Sequence, residues 1–190
     1  GPVGCAGPTR SVAPHPSVTP RPLSFVEEGR WIGHGIAYGP HRDGQRPGGR
    51  APSVDELRED VRLLAPRWRV WRMYGADAVS EAVLGVLRTD APDVKLILGV
   101  WIAPESSPEA RAENRAQVDT AIRLAREHHD RVLAINVGNE TQVSWSGHRV
   151  APDVLLGYLR EVRAATSVPV TTADDFSWWL TPESDAIAQE

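Results

Sequence analysis

Cysteine is almost absent from this sequence, because Cys5 is the only one in 190 residues. A single cysteine cannot form an internal disulfide, and it excludes metal sites built from several thiolates. Cys5 lies in a proline-rich segment rather than in a packed element, so we do not expect it to be a catalytic thiol. Long apolar runs are also missing. No stretch approaches the roughly 18 residues that a membrane-spanning helix requires.

Blocks of like charge and cofactor motifs are missing as well. The 25 acidic and 21 basic residues give a net charge of -4, and they are mixed along the chain, which argues against nucleic acid or an anionic membrane as a partner. The sequence contains no G-x-G-x-x-G turn, no G-x-x-x-x-G-K-[ST] loop and no H-E-x-x-H helix. We therefore predict no cofactor and no bound metal.

Tryptophan, by contrast, is abundant. Seven Trp accompany only three Tyr and two Phe. An indole has a broad apolar face and one N–H donor, which suits it to stack on sugar rings as well as to fill a core. This composition permits a neutral, carbohydrate-like ligand.

The first 23 residues are rich in proline and poor in apolar side chains, so we interpret them as a disordered tether before a domain that covers residues 24–190. The order Pro2-Val-Gly-Cys5, followed by a Pro/Ser/Thr-rich stretch, is similar to the processed start of a bacterial lipoprotein, in which the cysteine carries the lipid. From this we expect an extracytoplasmic location, either secreted, periplasmic or lipid-anchored through Cys5.

Strand-like and helix-like segments alternate from about residue 25 onward. Ser53 and Glu56 form a capping box at the start of the first helix. Helical spacing predicts helices near 54–65, 77–88, 109–129 and 152–166, and apolar runs predict strands near 31–38, 68–74, 94–102, 132–139 and 168–173. Five strands joined by four helices indicate a parallel α/β sheet.

Two architectures accept this pattern, namely a doubly wound open sheet and an eight-stranded (β/α)8 TIM barrel of which about five strands and four to five helices are present. A nucleotide-binding open sheet needs a glycine-rich turn after its first strand, and this chain lacks one. The pattern therefore favours the barrel. The alternative is a complete five-stranded α/β module that binds a glycan or a protein partner without catalysis.

Aromatic and hydrogen-bonding residues recur where the predicted strands end. In parallel α/β folds these ends lie at one edge and build the site. A sugar offers apolar faces to stack and hydroxyls to bind, so this combination indicates a carbohydrate site. The predicted substrate-binding residues are Tyr38, Tyr74, Asp77, Trp101, Asn139, Trp145, Asp174 and Trp178, and Glu140 is the candidate catalytic carboxylate.

Five motifs in order resemble the successive strands of family-17 glycoside hydrolases, which comprise β-1,3-glucanases and related glucosyltransferases with a (β/α)8 barrel and a retaining mechanism. They are Gly35-Ile-Ala-Tyr-Gly39, Trp71-Arg-Met-Tyr-Gly75, Leu98-Gly-Val-Trp101, Asn136-Val-Gly-Asn-Glu140 and Val168-Pro-Val-Thr-Thr-Ala-Asp174. The resemblance covers residues 31 to 179 and implies a substrate of β-1,3-linked glucan or a related β-glucan.

The resemblance also implies specific roles. Glu140 would be the acid/base, and Asn139 would hold the 2-hydroxyl of the reacting sugar. The family's nucleophile, a glutamate on the seventh strand, has no counterpart here, since Glu183 and Glu190 match nothing. We therefore expect the 190-residue chain to be catalytically impaired alone. We also expect its open sheet edges to bind a complementing C-terminal half-barrel or to self-associate.

Overall fold

A computed structural model describes residues 18–190. It begins with a short antiparallel hairpin, β1 (Val26–Glu27) and β2 (Arg30–Trp31), and the remaining strands alternate with helices. In chain order these elements are β3 (Gly35–Ala37), α1 (Val54–Leu64), β4 (Val70–Arg72), α2 (Ala78–Asp90), β5 (Lys95–Val100), α3 (Pro108–Glu127), β6 (Val132–Asn139), α4 (Pro152–Ala165), β7 (Val170–Ala173), α5 (Phe176–Trp179), a 3-10 turn (Pro182–Ser184) and α6 (Asp185–Ala188).

The main sheet has five parallel strands in the order β3-β4-β5-β6-β7. Each strand pairs with its neighbours in the sequence, whereas a doubly wound sheet would reverse direction after its first pair. This order removes the doubly wound alternative. The chain has the architecture of part of a (β/α)8 barrel, as predicted.

The predicted first strand, 31–38, is divided in two. Glu28 and Gly29 both have positive φ, at 50° and 75°, and they turn the chain so that Trp31 pairs with Val26 in the hairpin rather than joining the sheet. The strand of the main sheet is only Gly35–Ala37. Alternating apolar residues cannot distinguish one strand from a hairpin arm followed by a strand.

The predicted tether, 1–23, falls mostly outside the described residues, as does Cys5. Its last part packs on the domain. The Arg21 guanidinium donates to the carbonyl oxygens of Arg163 at 2.9 Å and Val168 at 3.2 Å. Arg21 therefore contacts the folded domain, and the domain boundary near residue 23 stays a prediction.

Capping hydrogen bonds fix the first residues of helices α1 and α2. Ser53 accepts from the Glu56 N–H, and the Glu56 carboxylate accepts from the Ser53 N–H, which completes the predicted capping box of α1. Asp77 Oδ1 accepts from the N–H groups of Val79 and Ser80 at the start of α2. These caps satisfy backbone donors that have no partner within the helix.

The hydrophobic core lies between the sheet and these helices. Trp71, Leu96, Leu98 and Ile135 of the strands are fully buried. Because side chains alternate along a strand, Arg72 faces the opposite side of the sheet from Trp71. That opposite side is the barrel interior, and it leads to the edge where the five strands end.

Gly99 allows β4 and β5 to approach each other closely at this edge. A Cβ at Gly99 would lie 2.3 Å from the Tyr74 carbonyl carbon and 2.4 Å from the Met73 oxygen. No side chain fits at such distances, so only glycine lets the end of β4 approach β5. Tyr74 is thereby placed beside the end of β5.

Candidate active site

Glu140 follows β6 directly, at the carboxyl end of the sheet. Its backbone has φ +52°, in the left-handed region that non-glycine residues seldom adopt and that costs about 1–3 kcal/mol. Its N–H donates to the Ala173 carbonyl at 2.8 Å. The side chain is partly exposed. Such strain persists at functional sites because the surrounding structure holds it there.

Asn139 is held at both of its polar ends. Its side-chain Oδ1 accepts from Arg72 Nη2 at 2.6 Å, and its backbone carbonyl lies 2.6 Å from His148 Nε2. A carbonyl oxygen can only accept, so His148 Nε2 carries the proton in this contact. With Oδ1 fixed by Arg72, the amide nitrogen of Asn139 is oriented as a donor.

The same two side chains connect Asn139 to aromatic rings. The Arg72 guanidinium lies 4.8 Å from the Tyr74 ring centroid, within the range of a cation–π contact. The His148 ring lies 4.5 Å from the Trp101 ring at an angle of 33°. Tyr74 and Trp101 are both 38 % exposed. The aromatic surface and the Asn139-Glu140 pair therefore belong to one contact network.

A cleft of about 490 Å³ opens beside this network. Its walls come from the loops after β3, β4 and β5, with Gln117 contributed by α3. The Gln117 Oε1 accepts from the N–H groups of Ala76 at 2.7 Å and Trp101 at 3.1 Å, so it ties the ends of β4 and β5 together. The lining includes Tyr38, Pro40, His41, Pro47, Met73, Tyr74, Asp77, Trp101 and Gln117. Glu140 does not line the cleft. It follows Asn139, which is connected to the cleft-lining rings of Tyr74 and Trp101 through Arg72 and His148.

Asp174 closes the loop that follows Glu140. Its Oδ2 accepts from the Gln142 N–H at 2.7 Å, and its Oδ1 accepts from the N–H groups of Val143 at 3.1 Å and Asp175 at 2.9 Å. Both carboxylate oxygens are thus occupied by backbone donors. Asp174 therefore acts as a clamp that joins the ends of β6 and β7, and its predicted role in substrate binding stays a prediction.

Two of the predicted aromatic contacts lie in largely buried positions, and their roles in substrate binding stay predictions. Tyr38 lines the cleft but is buried, and its hydroxyl donates to Asp60 Oδ2 at 2.7 Å. Burial and this hydrogen bond raise the pKa of the Tyr38 phenol. Trp178 is 9 % exposed and packs on Trp179 at 4.8 Å, which makes it part of the core.

No protein-family model matches the chain. A curated relative, the glucan 1,3-β-glucosidase of Arthroderma benhamiae, is 23 % identical over 145 residues, which is 76 % of this chain and 44 % of that protein. A solved endo-laminarinase from Formosa Hel1_33_131 superposes with a TM-score of 0.70 at 26 % identity, over 82 % of this chain and 47 % of that one.

Two structures of Rhizomucor miehei enzymes are also similar. A glycoside hydrolase family 17 β-1,3-glucanosyltransferase has a TM-score of 0.56 at 22 % identity, over 74 % of this chain and 49 % of that one. An active-site mutant of a β-1,3-glucanosyltransferase in complex with laminaritriose has a TM-score of 0.61 at 20 % identity, over 82 % and 53 %. The chain has a family-17-like β-1,3-glucanase fold. It spans about half the length of each of these relatives.

Within that fold, the structure does not decide whether two other predicted residues, Asp77 and Trp145, contact sugar. Asp77 lines the cleft, but one of its oxygens caps α2, so only Oδ2 is free of the cap. Trp145 is 62 % exposed in the loop after β6 and is not among the cleft-lining residues. Their roles in substrate binding stay predictions, as do those of Tyr74, Trp101 and Asn139.

Three residues of the network escaped the sequence analysis. Arg72 stands inside the motif Trp71-Arg-Met-Tyr-Gly75, but the motif gives its charge no role. His148 belongs to none of the five motifs, and Gln117 has the pattern of an ordinary polar helix residue. The signal for Arg72 was available, since a charged residue alternating with buried Trp71 must face the barrel interior. No comparable signal marks the other two.

Residues 18–190 contain no group of three or more His, Cys, Asp or Glu that could hold a metal ion. Over the same residues, no helix has the length and apolar character to cross a membrane.

Proposed function

We propose that this chain supplies the acid/base half of a retaining glycoside hydrolase or transglycosylase that acts on β-1,3-linked glucan. The observation that carries the proposal is Glu140, a partly exposed carboxylate in a strained backbone conformation at the carboxyl rim of the barrel strands. It follows Asn139, whose side chain is fixed by Arg72. β-1,3-Glucan enzymes recur among the similar structures.

The cleft supports a glucan chain as the substrate. The half-exposed rings of Tyr74 and Trp101 present apolar surface to sugar faces, and the amide of Asn139 presents a donor to a hydroxyl. One similar enzyme was solved with laminaritriose bound. We assign to Asn139 the 2-hydroxyl of the sugar that reacts.

In a retaining mechanism two carboxyl groups lie about 5–5.5 Å apart. A nucleophilic carboxylate attacks the anomeric carbon while Glu140 gives its proton to the departing glycosidic oxygen. Glu140 then removes a proton from water or from an acceptor sugar while the oxygen of that molecule attacks the anomeric carbon. The bond between the sugar and the nucleophilic carboxylate breaks, and the carboxylate is regenerated. Water gives hydrolysis and a sugar gives transfer, so both outcomes use the same residues.

We propose that the nucleophile lies outside the five strands described here. Asp174 has both oxygens bound by backbone N–H groups, and Asp77 uses Oδ1 to cap α2. These contacts disfavour either carboxylate as the attacking group. We propose that residues 1–190 alone turn over glucan poorly, and that strands β3 and β7, the two open edges of the sheet, pair with a complementing half-barrel or with a second copy.

The decisive experiment compares two substrates in the complete, natively expressed protein. Glu140→Gln should lower kcat on laminari-oligosaccharides by about 10²–10⁴-fold, because the departing sugar oxygen needs a proton. With a dinitrophenyl β-glucoside the first step should be little affected, because that leaving group departs without protonation. Glu113→Gln, an exposed carboxylate on α3, is the control. In kcat/KM, which reports only the first step, equal losses on both substrates would contradict the acid/base assignment.

We further propose an extracytoplasmic location, which rests on the lipoprotein-like order around Cys5. Mass spectrometry of the native protein tests this directly. A diacylglycerol adduct on Cys5 would support lipid anchoring, and an unmodified Cys5 thiol would contradict it.

A further inference from the structure

The peptide bond between Asn139 and Glu140 is fixed at both of its polar atoms. Its carbonyl oxygen accepts from His148 Nε2 at 2.6 Å, and its N–H donates to the Ala173 carbonyl at 2.8 Å. A peptide held at one atom could still rotate about its flanking bonds, whereas two hydrogen bonds on opposite sides fix its plane. That plane sets the direction in which the Glu140 side chain leaves the backbone.

The peptide needs this support because of its conformation. Glu140 has φ +52° and follows Gly138 at φ +76°, so two left-handed residues flank Asn139. A non-glycine residue relaxes from this region unless neighbouring groups hold it. His148 supplies one of the two hydrogen bonds that oppose such relaxation, from a loop position nine residues along the chain.

His148 is itself held in place from two sides. Its ring packs on Trp101 at 4.5 Å, and its Nδ1 lies 3.3 Å from the Ser146 hydroxyl. The hydroxyl donates to Nδ1 when the imidazole is neutral. This arrangement leaves the proton on Nε2, the nitrogen that faces the Asn139 carbonyl.

We propose that His148 is a positioning residue for the acid/base: its Nε2–H holds the Asn139-Glu140 peptide, and its stacking on Trp101 couples a cleft ring to that peptide. The inference rests on the proposed function of Glu140. His148 does not touch the reacting atoms. It acts by keeping the Glu140 carboxyl within reach of the glycosidic oxygen.

Two substitutions separate the hydrogen bond from the stacking. His148→Phe keeps a ring against Trp101 and removes the donor, whereas His148→Gln places an amide N–H near the Nε2 position and removes the ring. His129→Phe, at an exposed histidine after α3, is the control for replacing a histidine. In the complete protein we expect His148→Phe to lower kcat on laminari-oligosaccharides by about 10–100-fold, as a small misplacement of a catalytic group does.

The measurement again compares the loss of activity on two substrates that differ in their leaving group. The loss in His148→Phe should shrink to less than about threefold with a dinitrophenyl β-glucoside, because a misplaced acid matters only when protonation is needed. His148→Gln should recover most of the activity. Equal loss on both substrates, or a His148→Phe variant as active as wild type, would overturn the proposal. If Glu140→Gln itself shows no leaving-group dependence, the proposed function fails instead.

Amide hydrogen exchange provides a second measurement that needs no activity. The Glu140 N–H is bonded to the Ala173 carbonyl, so its exchange rate reports the stability of this peptide. On the 190-residue chain, His148→Phe should raise that rate at least about tenfold, and His148→Gln much less. An unchanged rate in His148→Phe would show that the Ala173 bond alone holds the peptide, which contradicts the role of His148.

Discussion

Around the rim of the sheet, the loops after β4 and β5 leave the rings of Tyr74 and Trp101 partly exposed, whereas the chain just after β6 and β7 is held by hydrogen bonds to backbone groups. On the first side, here called the cleft side, Tyr74 and Trp101 border the cleft. On the second, here called the clamped side, Thr141, Gln142 and Val143 are buried and Asp174 holds two of their N–H groups.

The contrast separates two tasks. A surface that binds a polymer benefits from accessible apolar faces. A group that transfers a proton benefits from a fixed direction. The cleft side has the first property and the clamped side has the second, and Asn139 connects them through Arg72 and His148. We infer that recognition and chemistry are divided between the two sides.

Removal of the clamp should give the largest effect. Asp174→Ala leaves the buried N–H groups of Gln142 and Val143 without their acceptors, and hydrogen bonds to a charged group contribute about 1.5–3 kcal/mol each. We expect the free energy of unfolding to fall by about 2–4 kcal/mol, measured by urea denaturation. Activity on laminari-oligosaccharides should fall as well, because the loop starts one residue after Glu140.

The neighbouring carboxylate provides the control for this change. Asp175 accepts from the Ser177 N–H and hydroxyl at the start of the short helix α5. Asp175→Ala removes a helix cap, which costs about 1 kcal/mol, and leaves the clamp intact. If Asp175→Ala were as damaging as Asp174→Ala, the rigidity of the clamped side would have another origin.

The cleft side should respond in binding rather than in stability. Trp101→Ala removes a half-exposed ring, and we expect laminaritriose to bind about tenfold more weakly to the Glu140→Gln protein in calorimetry, equivalent to about 1.4 kcal/mol. Trp31→Ala, another exposed tryptophan on the hairpin at the opposite end of the sheet, should change binding less than twofold.

Trp145, which is exposed, tests whether substrate binding is confined to the cleft side. The sequence predicted that it binds substrate, and the structure places it in the loop after β6, on the clamped side. If recognition is confined to the cleft, Trp145→Ala should weaken laminaritriose binding less than about twofold. A loss equal to that of Trp101→Ala would show that sugar also binds beyond Glu140, on the side where an acceptor would stand.

Local patterns were enough to predict the strands and helices. The capping box at Ser53 and the strand that ends in Asn139 both depend on neighbours within four residues. The barrel followed from the repeated alternation and from the family resemblance. The first strand was wrong in extent, because the Glu28-Gly29 turn carries no strong sequence signal.

The site was predicted less completely, because its side chains depend on distant partners. Asp174 binds N–H groups about 30 residues away, and a strand-end carboxylate looks the same in sequence whether it binds sugar or backbone. Trp178 and Trp179 stand side by side, and the choice of the buried one follows from the turn of α5, a helix that the sequence patterns do not predict. The position of Asn139 and Glu140 at the rim was predictable, since strand ends fix it.

The smallest expected effect concerns the hydrogen bond between α4 and the loop that follows Trp101 on the cleft side. Glu105, in the loop between Trp101 and α3, accepts from the Tyr158 hydroxyl on α4 and lies near Arg111. This hydrogen bond is the main cause that lowers the pKa of Glu105, and burial of Tyr158 together with the same bond raises the pKa of Tyr158 to about 12. Loss of the bond in Tyr158→Phe should therefore let the pKa of Glu105 rise.

The sign of the pH dependence follows from the direction of this shift. A carboxyl with a lowered pKa in the folded state adds stability above its ordinary value of about 4.3, and this stability disappears as the pH falls through the folded value. Wild type should thus be more stable than Tyr158→Phe near neutral pH, and the two should converge as the pH falls through the lowered pKa of Glu105. Denaturation at several pH values measures this. A difference that persists in acid would mean that the Tyr158 hydroxyl stabilises the fold independently of the charge on Glu105, since the ring that packs on Arg115 is kept in Tyr158→Phe.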